Sequence, residues 1–299
     1  MGNDSSSNHI RQMKIGIVES MNHQEGQLDI GGGQKLYYQT WLPVEPPKAV
    51  LQIVHGYAEH GGRYQNVVDK LVPSGYAVYV NDLYGHGKSE GPRGFTRSYR
   101  DLIATTLKMN NLIHEKEGAD IPVFMLGHSL GAMIGPFYAA LHQETLDGLI
   151  LSGCGVRYPD MTQAKRVLIA VLSKFSRAKV MNAPFPADRL SHDQEVVKAY
   201  ENDPMVFAGK FTLGMLEAMR KMANGVSKAA KKVTLPVLIL KGGDDEIISG
   251  AQELFVAFQA SKDKTLKVYD GFKHEVHNET EERRKQVLED LQDWLDAHI

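Results

Sequence analysis

Apolar positions along the chain fall into short unbroken runs separated by longer amphipathic stretches. Ala49–Val54, Tyr76–Val80, Val123–Leu126, Asp147–Ser152, Leu235–Leu240 and Leu266–Tyr269 are such runs. Runs of this length between turn residues read as buried parallel strands. Ile15–Ser20, Gln27–Ile30 and Lys35–Leu42 also read as strands, with the glycines at 31–33 as a turn between the last two. Helical stretches lie between the central strands: about Tyr64 to Val72, Ser98 to Glu117 with Ser98 as its cap, and a charged amphipathic helix at the C-terminus. Strand and helix alternating in this way predict an α/β fold, a mostly parallel central sheet with helices on both faces.

The alternation stops between about Val156 and Val233, where the pattern is helical and loop-like. The predicted organisation is therefore a partly disordered lead and first strand over 1–25, a core over 26–155, an inserted helical cap over 156–233, and the rest of the core over 234–299. Within the insertion, Thr162–Arg177 has an apolar centre and only basic charges. Such a helix either rests transiently on a membrane surface or packs on its own domain. Phe207, Phe211, Met215 and Met219 recur every fourth residue and predict one apolar helix face, either core or the lining of an acyl channel.

Composition narrows the function. The chain has 299 residues, 42% hydrophobic and 23% charged, with a net charge of -2. Nothing in that balance calls for nucleic acid. The single cysteine, Cys154, has no internal disulfide partner and follows an apolar run, so a buried hydrophobe explains it better than a catalytic thiol. The polar, serine-rich Met1–Arg11 does not read as a signal peptide, and no stretch has the length to span a membrane. The expectation is a cytoplasmic protein, at most peripheral to membranes. The histidines and acids do not take a zinc spacing, and the glycines at 85–91 fit no phosphate loop, so neither metal nor nucleotide cofactor is expected.

The chemistry is carried by Gly127-His128-Ser129-Leu130-Gly131, directly after the apolar run 123–126. G-x-S-x-G between a strand and a helix is a nucleophile elbow, a sharp turn that exposes the serine hydroxyl at a helix N-terminus. A serine hydroxyl needs an imidazole to take its proton and a carboxylate to orient the imidazole. Candidates follow the later strands: Asp245 or Asp244 after Leu235–Leu240, and His274 or His277 after Leu266–Tyr269. Order and strand-end position favour His274 over His277, and Ser129, Asp245 and His274 stand in the chain order of α/β-hydrolases, with Asp244 the rival to Asp245. The glycine-rich turn at His55–Tyr64 stands where that fold supplies an oxyanion donor.

These segments, with Asp82–Gly91, Tyr200–Pro204, Gly242–Asp245 and His274–Glu279, resemble the monoacylglycerol lipase and lysophospholipase group of the α/β-hydrolase superfamily, the serine aminopeptidase S33-like hydrolases. The resemblance runs from about Gly26 to the end. It implies an α/β-hydrolase fold with a cap, and hydrolysis of a lipid ester such as monoacylglycerol through an acyl-serine. Lysophospholipid or broad ester cleavage are the alternatives, and no cofactor is implied. By the same resemblance Asp245 is the acid, and the N–H groups of Tyr57 and Leu130 form the oxyanion hole. Glu59, Arg63, Tyr200 and His277 lie near the glycerol end, and Phe207, Phe211 and Met215 near the acyl chain. The family carries smaller residues where this chain has Tyr57 and Ala58, which points to a difference in substrate choice.

Overall fold

A computed structural model describes residues 21–183 and 185–299. The predicted strand Ile15–Ser20 and the N-terminal lead lie outside them. In chain order the strands are β1 (Met21–Gly31), β2 (Gln34–Pro43), β3 (Ala49–Val54), β4 (Tyr76–Asn81), β5 (Val123–His128), β6 (Gly148–Ser152), β7 (Val180–Asn182), β8 (Lys210–Thr212), β9 (Val237–Gly242) and β10 (Lys264–Tyr269). The helices are α1 (Gln65–Leu71), α2 (Tyr99–Glu117), α3 (Leu130–His142), α4 (Gln163–Leu172), α5 (Gln194–Asn202), α6 (Leu213–Ala230), α7 (Ala251–Ala257) and α8 (Glu281–Asp296).

Eight strands form one sheet in the order β1-β2-β4-β3-β5-β6-β9-β10. From β4 to β10 all neighbours are parallel, and the β1–β2 hairpin closes one edge antiparallel. Every residue of β3, β4, β5, β6 and β9 is buried. That is why these strands read as continuous apolar runs: helices cover both faces. One face packs against α1 and α8 through Val67, Leu71, Leu291 and Trp294. The other packs against α2, α3, α6 and α7 through Met109, Ile134, Met222 and Leu254.

Within the stretch read as an insertion, α6 packs differently from the elements before it. This helix packs on α3, and Met215, Met222, Val226 and Ala230 belong to the main core. Between β6 and α6 lie α4, α5 and the antiparallel β7–β8 ribbon. The expected helical face through Phe207, Phe211, Met215 and Met219 is broken. The Thr212 hydroxyl accepts a hydrogen bond from Met215 N–H and caps α6, so the helix begins at Leu213. Phe207 lies in a loop and Phe211 in β8, leaving Met215 and Met219 on the helix. The spacing of four was a coincidence across three elements.

Candidate active site

The strand ends converge on one place above the sheet. β5 runs into Ser129, whose φ of 52° and ψ of −107° leave it in a sharp turn before α3. A non-glycine residue held there is strained, a cost of about 1–3 kcal/mol that the flanking strand and helix must impose. The glycines on either side make this close approach possible. A Cβ at Gly131 would overlap the Val54 carbonyl at the end of β3, and one at Gly127 would overlap the Gly131 carbonyl.

His274 lies in the turn after β10 and Asp245 after β9, and their side chains are almost entirely buried. His274 Nδ1–H donates to Asp245 Oδ2 over 2.8 Å. In the neutral ring this leaves Nε2 with its lone pair, the tautomer a general base needs. Asp244 is exposed, and it is Asp245 that contacts the histidine. Asp245 Oδ1 accepts from the N–H groups of Ile247 (2.8 Å) and Ile248 (3.2 Å), and Lys241 Nζ donates to Oδ2. Burial works against ionisation of Asp245, but His274 and Lys241 outweigh it and hold the carboxyl well below its usual range. Lys241, fixed in turn by the Ile248 carbonyl at 2.5 Å, is a residue the sequence reading did not single out.

Ser129 and His274 open onto one pocket of about 730 Å³. Tyr57 is on its rim, and Leu130 is the first residue of α3. Among the described residues, neither N–H is spent on a hydrogen bond within the protein. The turn that carries Tyr57 is braced from below. Glu59 Oε1 accepts from Gly56 N–H (2.5 Å) and from Tyr64 Oη (3.0 Å). Glu59 Oε2 accepts from Arg63, which also makes a two-pronged pair with Glu275 at 2.7 and 2.8 Å. Because Glu275 follows His274 directly, this buried network ties the Tyr57 turn to the histidine turn. Burial alone would raise the Glu275 pKa, yet the Arg63 charge holds it well below the usual carboxylate range. Glu59, Arg63 and Tyr200 do border the pocket, with Arg63 4.7 Å above the Tyr200 ring. The charges of Glu59 and Arg63 are consumed in the brace, however, which makes them supports of the turn.

Three expected substrate contacts do not face the pocket. His277 is buried, stacked on Tyr64 at 5.1 Å and edge-on to His128 at 4.9 Å. Burial depresses the His277 and His128 pKa values to about 3, so both rings are neutral. Met215 is fully buried in the core. Phe207 packs against Tyr57 and His86 behind the rim. Phe211 does line the pocket and stacks on Tyr57 at 4.7 Å and 13°. Met219, from the same apolar series, also lines the pocket, and much of the remaining apolar wall comes from residues the sequence did not mark for it: Leu168, Ile169 and Leu172 of α4, and Leu213 and Leu216 of α6. Tyr57 itself fastens the rim to the insertion, since its hydroxyl donates to the Lys210 carbonyl over 2.5 Å.

Two sequence readings elsewhere can be placed. Burial raises the Cys154 thiol pKa to about 12, which leaves it protonated and inert. The loop at 82–91 is occupied internally: Asp82 accepts from Gly61 and Lys88 N–H at 2.8 Å each, holding the neighbouring turn.

Residues 45–281 match the family described as serine aminopeptidase, S33. The chain is 35% identical to the monoacylglycerol lipase of Mycolicibacterium smegmatis over 90% of its own length and 95% of the relative's. It is 32% identical to the monoglyceride lipase of Rattus norvegicus, covering 89% of this chain and 88% of that one. Among solved structures, the monoacylglycerol lipase of Paleococcus ferrophilus superposes with a TM-score of 0.79 at 27% identity, over 88% of this chain and 99% of that one.

Proposed function

Because the chain belongs to the serine aminopeptidase S33 family of α/β-hydrolases, we propose that it hydrolyses monoacylglycerols to fatty acid and glycerol. The observation that carries this reading is a strained serine and an Asp245–His274 pair opening onto a pocket whose far wall is apolar. Ser129 Oγ attacks the ester carbonyl while His274 Nε2 takes its proton. Asp245 holds the ring and stabilises the imidazolium. The Tyr57 and Leu130 N–H groups receive the oxyanion, each contributing about 3 kcal/mol at the transition state. Collapse breaks the bond to glycerol, which leaves with the proton from His274. Water then attacks the acyl-serine by the same route, releasing the fatty acid and restoring Ser129. The acyl chain lies along Leu168, Ile169, Leu172, Phe211 and Leu216.

A neutral headgroup suits this pocket better than a phosphate. Arg63 is paired with Glu59 and Glu275, and Arg189 with Asp160 and Glu246, so these cations are already matched. Lys165 Nζ donates to the Asp160 carbonyl at 3.0 Å. Long-chain monoacylglycerol and lysophosphatidylcholine, offered at equal concentration to wild type and Ser129→Ala, test this. The glyceride is expected to be preferred, and both activities are lost in the variant. Preference for the lysophospholipid would transfer the function to a lysophospholipase.

The insertion is read as a cap that touches lipid. Phe175 is 83% exposed, and Val167, Leu168 and Val171 are about half exposed on the same segment. Arg166 and Arg177 are engaged within the protein, by Asn224 and the Arg97 carbonyl, which leaves Lys174 as the nearer candidate for anionic headgroups. Among the described residues no helix is long and apolar enough to cross a membrane. Phe175→Ser with Lys174→Gln is expected to reduce sedimentation with anionic vesicles, and unchanged binding would remove the idea.

A further inference from the structure

Helix α6 has two lined faces. Leu213, Leu216 and Met219 border the active-site pocket. Lys221, Gly225 and Lys228, with Lys232 just past the helix end, border a separate groove of about 540 Å³ between α2, α3 and α6. Its floor is apolar: Ile103 and Leu107 from α2, Phe137 and Leu141 from α3, and Ala229 from α6. Leu141 is 61% exposed there, so part of the floor is open to solvent.

The rim is cationic. Arg100, Lys221, Lys228 and Lys232 stand around the groove. From Arg220 to Lys232 the sequence has five cations and no carboxylate. Glu217 is occupied by Arg220 and Lys221, and Arg100, Lys228 and Lys232 make no ion pair among the described residues. An apolar floor under a ring of cations is complementary to a ligand with an alkyl chain and one anionic end. A neutral glyceride would leave the cations unmatched. A nucleic acid would leave the floor unfilled.

We infer that this groove binds a single-chain fatty acid anion, its carboxylate at Lys228 and Lys232 and its chain over Leu107 and Phe137. Binding itself does not depend on the proposed reaction; only the source of the ligand, as that reaction's product, rests on it. With α6 as the shared wall, an occupied groove bears on the helix that lines the acyl pocket.

Isothermal titration with dodecanoate, below its micelle concentration and at pH 8, tests the site. Wild type is expected to bind two equivalents, one in each cavity. Lys228→Glu with Lys232→Glu is expected to weaken one site by about tenfold or more while leaving ester hydrolysis intact. Ala104→Trp, at an exposed floor position, is expected to block the same site without changing charge. Leu216→Trp, which fills the active-site pocket, removes the other. Dodecyltrimethylammonium, with the opposite charge, is expected to leave the groove empty. Stoichiometry and affinity unchanged from wild type in both groove variants, whatever the number of equivalents, overturn the inference. So does equal binding of the cationic amphiphile. Because hydrolysis is read separately on the same samples, loss of the proposed reaction would not be mistaken for loss of the groove.

Discussion

The two walls of the active-site pocket are built on different principles. The core wall presents His274, Glu59 and Arg63, whose side chains are fixed by buried hydrogen bonds, and Ser129, held through its backbone N–H on the Ser152 carbonyl at the end of β6. The cap wall presents Leu168, Ile169 and Leu172, on a helix whose outer face exposes Val167 and Val171, and Phe211 of β8, all held by packing. The first wall sets what bond is broken. The second sets what is attached to it. Polar networks tolerate little displacement, because an unpaired buried group costs about 1–3 kcal/mol. Apolar contact is non-directional, so the cap wall can shift and still bind.

This contrast can be broken most severely at the core wall. Ser129→Ala is expected to lower kcat by about 10⁵-fold or more with the melting temperature nearly unchanged, read by ester hydrolysis and thermal unfolding. Asp245→Asn should cost about 10⁴-fold, since the amide favours the wrong imidazole tautomer. Asp244→Asn, one residue away and exposed, should stay within about twofold of wild type. Equal losses at the two positions would mean that the geometry misassigns the acid.

Arg63→Met leaves Glu59 and Glu275 buried without their cation. A loss of about 3–5 kcal/mol is expected in denaturant unfolding. Acid should act on the same wall. Burial depresses His55, His86, His128 and His277 to about 3 from 6.5. Below 6.5 the unfolded chain binds protons that the folded chain refuses, so stability falls as pH drops from 6.5 towards 3. His86→Phe removes one such site and should flatten that fall, measured as unfolding midpoint against pH. Asp245 and Glu275 act in the same direction at lower pH, because their folded pKa values are depressed. Their contribution is full above the unfolded carboxylate range and is lost as pH falls towards the folded values.

The smallest effects belong to the seam and the cap. Tyr57→Phe deletes the bond to the Lys210 carbonyl but keeps the stack on Phe211. It is expected to lower kcat about tenfold with little change in KM, since the backbone donor loses its anchor. Phe211→Ala should instead raise KM for long acyl chains and spare short ones. If Tyr57→Phe changed only KM, the two walls would be independent.

The same contrast explains what the sequence made legible. The central strands are buried on both faces, so each announces itself as an apolar run. Residues at strand ends inherit that legibility: Ser129 and Asp245 follow the buried strands β5 and β9, and His274 follows the apolar run of the edge strand β10. Lys241 and Glu275 stayed unmarked because a cation or acid at a strand end has no periodicity to betray its partner. The cap misled for the opposite reason. Its ribbon strands are three residues each, too short for an alternating pattern, and Phe207 and Phe211 fell by chance on a helical spacing with Met215. His277 matched a family motif, but its ring turns inward onto Tyr64.

Rapid-quench mixing with a long-chain monoacylglycerol, followed by peptide mass analysis, tests the central claim most directly. The account predicts a burst of glycerol approaching one equivalent per enzyme, with the acyl group found on Ser129. Turnover with no acylated Ser129, or an adduct on another residue, would contradict it.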